Sequence, residues 1–213
     1  MKTGASKRNK YEAVVIGVSA GGMSALGMII PELPPDFDLP VIIVQHRDED
    51  SDTFLSEFLN TKSAVKVKEA DEKEKILPGT VYIAPAGYHL LIEEDRTFSL
   101  SVDPLINYSR PAIDVLFESA ADAYEDQLIG MVLTGSNADG SHGLKKIKNF
   151  GGMTLVQDPE EAESDYMPRA AILHCAPDHV LKLQEMAPFL YDMSRQETVL
   201  KLTVMIENHH PES

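Results

Sequence analysis

Five short apolar runs recur along the chain, Ala13 to Ile16, Val41 to Val44, Val81 to Ala84, Met131 to Leu133 and Thr154 to Val156, with helix-period segments between them. Runs this continuous suit strands covered on both faces, because a strand with one wet face alternates polar and apolar side chains. Strands alternating with helices predict an α/β chain of the doubly wound type, three layers around a mainly parallel sheet. One stretch breaks the rhythm. Between Tyr88 and Val102 two short β-rich segments flank Glu94, Asp95 and Arg96, which predicts a β-hairpin excursion. Beyond it Pro111 stands near a helix start, and Ile113, Leu116, Phe117, Ala120, Ala121 and Tyr124 follow at helical spacing, so this helix is expected to lie on the sheet.

At 213 residues the chain suits one such domain, expected over 11–195, with a flexible tail at 1–10 and an extension at 196–213 that ends in disorder. A formal net charge of −15 argues against a nucleic-acid partner, since phosphate binding needs a basic face. No apolar run approaches the roughly 18 residues that cross a bilayer, and no signal-peptide core follows the basic start. A cytoplasmic location without membrane insertion is expected. The single cysteine, Cys175, has no partner for an internal disulfide, and its neighbours read as the end of a packed helix.

The segment richest in chemistry is Val14-Val15-Ile16-Gly17-Val18-Ser19-Ala20-Gly21-Gly22, a strand running into a Gly-rich turn and then an apolar helix. Gly17 to Gly21 matches the G-x-S-x-G pattern, in which small residues let the chain bend sharply and hold a serine hydroxyl above the sheet edge. The same turn is open to two other readings. It resembles a dinucleotide-binding loop, except that Ser19 stands where the middle glycine would admit a pyrophosphate and the second strand ends in Gln45-His46 instead of an acidic residue. It also suits a turn that only packs a helix.

His46 ends the second strand, and the carboxyl ends of parallel strands line the ligand crevice, so its imidazole can take a proton from Ser19. Asp139 follows another apolar strand, within Leu133-Thr134-Gly135-Ser136-Asn137-Ala138-Asp139-Gly140, where a carboxylate can orient that histidine or, alternatively, cap a helix. His142, three residues on, opens a further reading with His46 and Asp139 as a two-histidine, one-carboxylate metal site. The expectation is that no metal binds, and that His89, His174 and His179 are satisfied or surface residues.

Taken together, these segments resemble the catalytic domain of the chemotaxis protein-glutamate methylesterases, the CheB family, from about Tyr11 to Leu183. The likeness extends to Val44-Gln45-His46, Val81-Tyr82-Ile83-Ala84-Pro85, Ser109-Arg110-Pro111-Ala112-Ile113-Asp114-Val115-Leu116-Phe117, Gly151-Gly152, Gln157-Asp158 and Met167-Pro168-Arg169-Ala170. It implies a nucleophile at Ser19, a general base at His46 and an orienting carboxylate at Asp139. Backbone N–H groups near Ala20 and Ser136 are expected to hold the oxyanion. The implied reaction is cofactor-free hydrolysis of glutamate methyl esters on chemoreceptor helices, with deamidation of certain receptor glutamines. Implied partners are the methylated receptor and, alongside it, a receptor methyltransferase or a histidine kinase. The chain departs from the family's usual pattern at Ser136, commonly methionine, and at Arg47-Asp48, commonly Met-Pro; both bear on the substrate entrance. The best-known members also carry a phosphoacceptor receiver domain ahead of the catalytic strand. With only a short tail there, the expectation is constitutive activity or control by a separate partner. The alternative is a CheB-like binding module without activity.

Overall fold

In the computed structural model, which describes residues 10–196, the chain forms nine strands and six α-helices. The expected ends 1–10 and 196–213 lie outside the described residues apart from Lys10 and Gln196. In chain order the elements are β1 Ala13–Val18, α1 Gly22–Ile29, β2 Val41–Gln45, α2 Phe54–Lys62, β3 Lys66–Glu69, β4 Thr80–Ile83, β5 His89–Ile92 and β6 Phe98–Ser101. There follow α3 Ile113–Tyr124, β7 Leu128–Val132, α4 Ser141–Asn149, β8 Met153–Gln157, α5 Tyr166–Cys175, β9 His179–Leu181 and α6 Leu183–Ser194.

Seven strands make one sheet in the order β3-β4-β2-β1-β7-β8-β9, and every pairing in it is parallel. The hairpin is β5 against β6, antiparallel and separate from the main sheet. All five apolar runs mark strands, with Ala84 and Leu133 each one residue past the end of β4 and β7. The two edge strands have no such run: β3 buries only Val67, and β9 is half-exposed throughout, so neither carries the continuous apolar signature of a strand covered on both faces.

Side chains alternate across β1. Val14, Ile16 and Val18 enter one core with Leu26 and Ile29 of α1, Leu59 of α2 and Met186 and Leu190 of α6. Ala13 and Val15 enter the other, with Leu116 and Phe117 of α3, Leu144 and Ile147 of α4 and Ala171 of α5. Each fully buried aliphatic side chain contributes on the order of 1.5–3 kcal/mol, so two cores back to back fix which strand neighbours which. Cys175 lies fully buried at the end of α5, where burial pushes its thiol pKa up, the opposite of what a nucleophile needs.

Close approach on the α3 side rests on glycine. A Cβ at Gly17 would lie 2.3 Å from Ile113 Cγ2, and one at Gly143 would lie 2.4 Å from Phe117 Cβ. Because Phe117 Cβ is bound directly to the α3 backbone, Gly143→Ala cannot be accommodated by a rotamer change. Despite alanine's better helix propensity, this substitution is expected to destabilise the protein by about 1–3 kcal/mol, seen as a lower urea midpoint. An unchanged or higher midpoint would mean that α4 can move off α3.

Candidate active site

In the sheet, β1 stands between β2 and β7, so the chain leaves the carboxyl end of β1 toward one side and returns on the other. That is a topological switch point, where open α/β sheets form a crevice. Ser19 follows β1, His46 follows β2, and Asp139 follows β7 in the turn before α4. Three adjacent strand ends therefore carry the three residues singled out in the sequence. Backbone bonds tie them together: the His46 N–H donates to Val18 O at 3.0 Å, the Leu133 N–H to Gly17 O at 2.9 Å and the Ser19 N–H to Thr134 O at 3.0 Å.

His46 Nε2 and Asp139 Oδ2 are 2.7 Å apart. The Asp139 carboxylate is 1% exposed and has four further donors: Ile113 N–H at 2.7 Å on Oδ2, with Asn107 Nδ2 at 2.9 Å, Gly140 N–H at 3.0 Å and Asp114 N–H at 3.1 Å on Oδ1. Burial by itself pushes this acid's pKa up, but the bonds from His46, the Ile113 N–H, Asn107 and the Asp114 N–H outweigh it and hold the carboxyl below its ordinary value. Asp139 is thus an anion, and an anion at Oδ2 requires a proton on His46 Nε2; in the neutral imidazole that tautomer puts the lone pair on Nδ1. Among the described residues Ser19 makes no hydrogen bond to His46. The two meet as neighbours lining one cleft of about 790 Å³, with Gln45, Met23, Phe54 and Glu163.

Several functional contacts have no signature in the sequence. Gln45 Nε2 donates to both Ser19 O and His46 O, each at 3.0 Å, and so bridges the two strand ends. Its Oε1 occupies the space beside Gly22, where a Cβ would lie only 1.9 Å away. Thr134 Oγ1 donates to Ala20 O at 2.8 Å and accepts from the Ser164 N–H at 2.9 Å, anchoring the serine turn to the loop before α5. The Ala20 and Ser136 N–H groups take no part in hydrogen bonding among the described residues. Both residues are exposed at this end of the sheet.

Arg47 is turned into the protein, donating to Glu69 Oε1 and, at 2.8 Å, to Ala84 O, so its charge is matched inside the fold while the side chain still lines the cleft. His142 stands against His174 of α5, ring centroids 4.2 Å apart. Among the described residues no group of three or more His, Cys, Asp or Glu side chains could hold a metal ion. His89 is buried and satisfied, accepting from the Ala112 N–H at 3.2 Å on Nδ1 and facing Pro104 O at 3.1 Å with Nε2.

The family model of the CheB methylesterases matches residues 14–190. The chain belongs to the CheB methylesterase family. Members are carboxylic ester hydrolases, and that is the activity class of this chain. A Leptospira interrogans relative, assigned as a protein-glutamate methylesterase/protein-glutamine glutaminase, is 54% identical over 177 residues, 83% of this chain and 92% of its own length. An Archaeoglobus fulgidus protein of the same name is 40% identical over 169 residues, 78% of this chain but 48% of that longer protein. The crystal structure of the Thermotoga maritima CheB methylesterase catalytic domain superposes with a TM-score of 0.83 at 36% identity, covering 86% of this chain and 98% of that one. The three-layer fold with its hairpin is therefore the family's.

A second acid lies behind Asp139. Asp114 is 5% exposed, and burial, together with the nearby Asp139 charge, pushes its pKa up to about 6 against the lowering effect of the Gly143 N–H and His142. Since the folded value lies above the unfolded one, the native protein binds the extra proton between about pH 4 and pH 6. Stability from this group is complete below that window and is lost as pH rises through it, by on the order of 2–3 kcal/mol. The depressed Asp139 acts in the other direction and elsewhere, losing its contribution only as pH falls below about 4. Asp114→Asn is expected to flatten the slope of urea midpoint against pH between 4 and 6. A slope equal to the wild type's would show that Asp114 ionises normally.

Proposed function

We propose that Ser19, His46 and Asp139 form the catalytic triad of a serine esterase that removes methyl groups from glutamate side chains on chemoreceptor helices and deamidates receptor glutamines. One observation carries the reading: a five-donor buried carboxylate pairs with His46 at the strand end next to Ser19, in the cleft that Ser19 lines. The family and the names of its curated members, protein-glutamate methylesterase/protein-glutamine glutaminase, support this choice of substrate. The surroundings suit a protein substrate. Met23, Met28 and Phe54 expose apolar surface along the cleft, and Leu105 and Tyr108 do so on the other side of His46.

In this mechanism His46 Nδ1 takes the Ser19 hydroxyl proton as Oγ attacks the side-chain carbonyl carbon. Nε2–H stays bonded to Asp139, whose fixed negative charge stabilises the imidazolium. The carbonyl oxygen becomes an oxyanion facing the free N–H groups of Ala20 and Ser136, at the entry of α1 whose positive dipole end adds to the field. Collapse breaks the ester C–O bond. Methanol, or ammonia from an amide, leaves with the proton returned by Nδ1. Water then attacks the acyl-enzyme by the same route, releasing the glutamate carboxylate and regenerating Ser19. No cofactor enters any step.

Methanol release from methylated receptor is the direct measurement. Ser19→Ala, His46→Ala and Asp139→Asn are each expected to lower kcat by on the order of 10³-fold or more, with far-UV spectra like the wild type's. Undiminished release by Ser19→Ala would remove the nucleophile assignment.

A further inference from the structure

We propose that Asn107 is a positioning residue of this site: from a tight turn outside the sheet, its amide ties Asp139 to Asp114 and fixes the carboxylate that faces His46. The proposal rests on the reading of Asp139 as the orienting carboxylate. Asn107 Nδ2 lies 2.9 Å from Asp139 Oδ1 and 3.1 Å from Asp114 Oδ2. Besides His46 it is the side-chain donor to Asp139; the other donors are the backbone N–H groups of Ile113, Asp114 and Gly140. The α3 N–H groups hold both oxygens of Asp139, and Asn107 adds a side-chain bond to Oδ1. Two buried carboxylates this close repel, and a neutral amide with two N–H groups is the side chain that satisfies both without adding charge.

The turn explains how Asn107 reaches the site. Ile106 and Ser109 exchange both backbone hydrogen bonds, at 3.2 and 2.9 Å, around the left-handed pair Asn107 at φ 51° and Tyr108 at φ 62°. Two successive positive φ values mark a type I′ hairpin turn, which favours Asn, Asp or Gly at its first central position. The backbone alone would accept any of the three. Only Asn also supplies donors to the two acids: Tyr108 beside it is 98% exposed, whereas Asn107, itself partly open to solvent, directs its amide to Asp139 and Asp114. Titratable groups facing this cluster are Asp139 and His46 on the strand-end side, Asp114 and Glu118 on α3, and His142 on α4.

The turn's own preferences make the test. Asn107→Gly keeps the left-handed backbone and removes the amide; Asn107→Asp keeps the backbone and replaces a donor with a third carboxylate. Holding the full chain at constant temperature, kcat and KM for methanol release are measured against pH, and the proton on His46 Nε2 is followed by NMR as a downfield signal. Asn107→Gly is expected to lose about tenfold or more in kcat with KM within about twofold, and to broaden or lose the downfield signal. Asn107→Asp is expected to move the acid limb of kcat/KM to higher pH, because added negative charge stabilises the His46 imidazolium. Wild-type kcat, pH limb and downfield signal in both variants, with Asp139→Asn inactive, would overturn the Asn107 role and leave the triad intact. Wild-type kcat in Asp139→Asn would instead overturn the triad reading and the positioning role together. Should Asn107→Gly lower the melting temperature so far that it unfolds, the pH limb of Asn107→Asp alone decides.

Discussion

Everything at the carboxyl end of the sheet is organised around one buried negative charge. A carboxylate moved out of water without partners neutralises itself by taking up a proton, and Asp139 at 1% exposure escapes this only because five donors converge on its two oxygens. Those donors come from the strand end after β2, the start of α3, the turn before α4 and a surface hairpin turn. The charge therefore acts as a tie between segments distant in sequence, and the imidazole orientation follows from it. With Nε2–H committed to Asp139, Nδ1 is the nitrogen left to work on the serine side.

The same end of the sheet shows how rigidity is divided. The strand order places β1 between β2 and β7, so the three turns that follow them share one crevice. Gln45 and Thr134 then lock the turns to one another through carbonyl groups, Gln45 joining Ser19 to His46 and Thr134 joining Ala20 to the Ser164 segment. Asp114 adds a second buried acid whose burial opposes stability as it ionises, a local cost set beside the functional carboxylate. Tolerating it makes sense where its acceptors hold the Gly143 N–H and the Asn107 amide in place.

How much of this was legible in the sequence depends on whether the cause is local. The central strands could be read because burial on both faces writes an unbroken apolar run, and the hairpin because turn residues interrupt that pattern. The edge strands Lys66–Glu69 and His179–Leu181 could not, since an edge strand has one wet side and few residues. Ser19 has its own turn motif, while His46 and Asp139 were visible as strand-end polar residues and through the family likeness. Asn107, Gln45 and Thr134 were not read as site residues, because their roles are side-chain bonds to partners brought close only by the fold, Asn107 to Asp139 across 32 positions of sequence. The Arg47-Asp48 departure bears on the substrate entrance, but Arg47 bonds inward to Glu69, a pairing that no local pattern announces.

The central claim is that Ser19 is an activated nucleophile, and labelling with a fluorophosphonate probe followed by peptide mapping tests it most directly. The account predicts a stoichiometric adduct on Ser19 in the folded protein, formed far more slowly when Asp139 is replaced by Asn. A folded protein that acquires no adduct, or acquires it on another residue, would contradict the account and favour a binding module that keeps the fold without the chemistry.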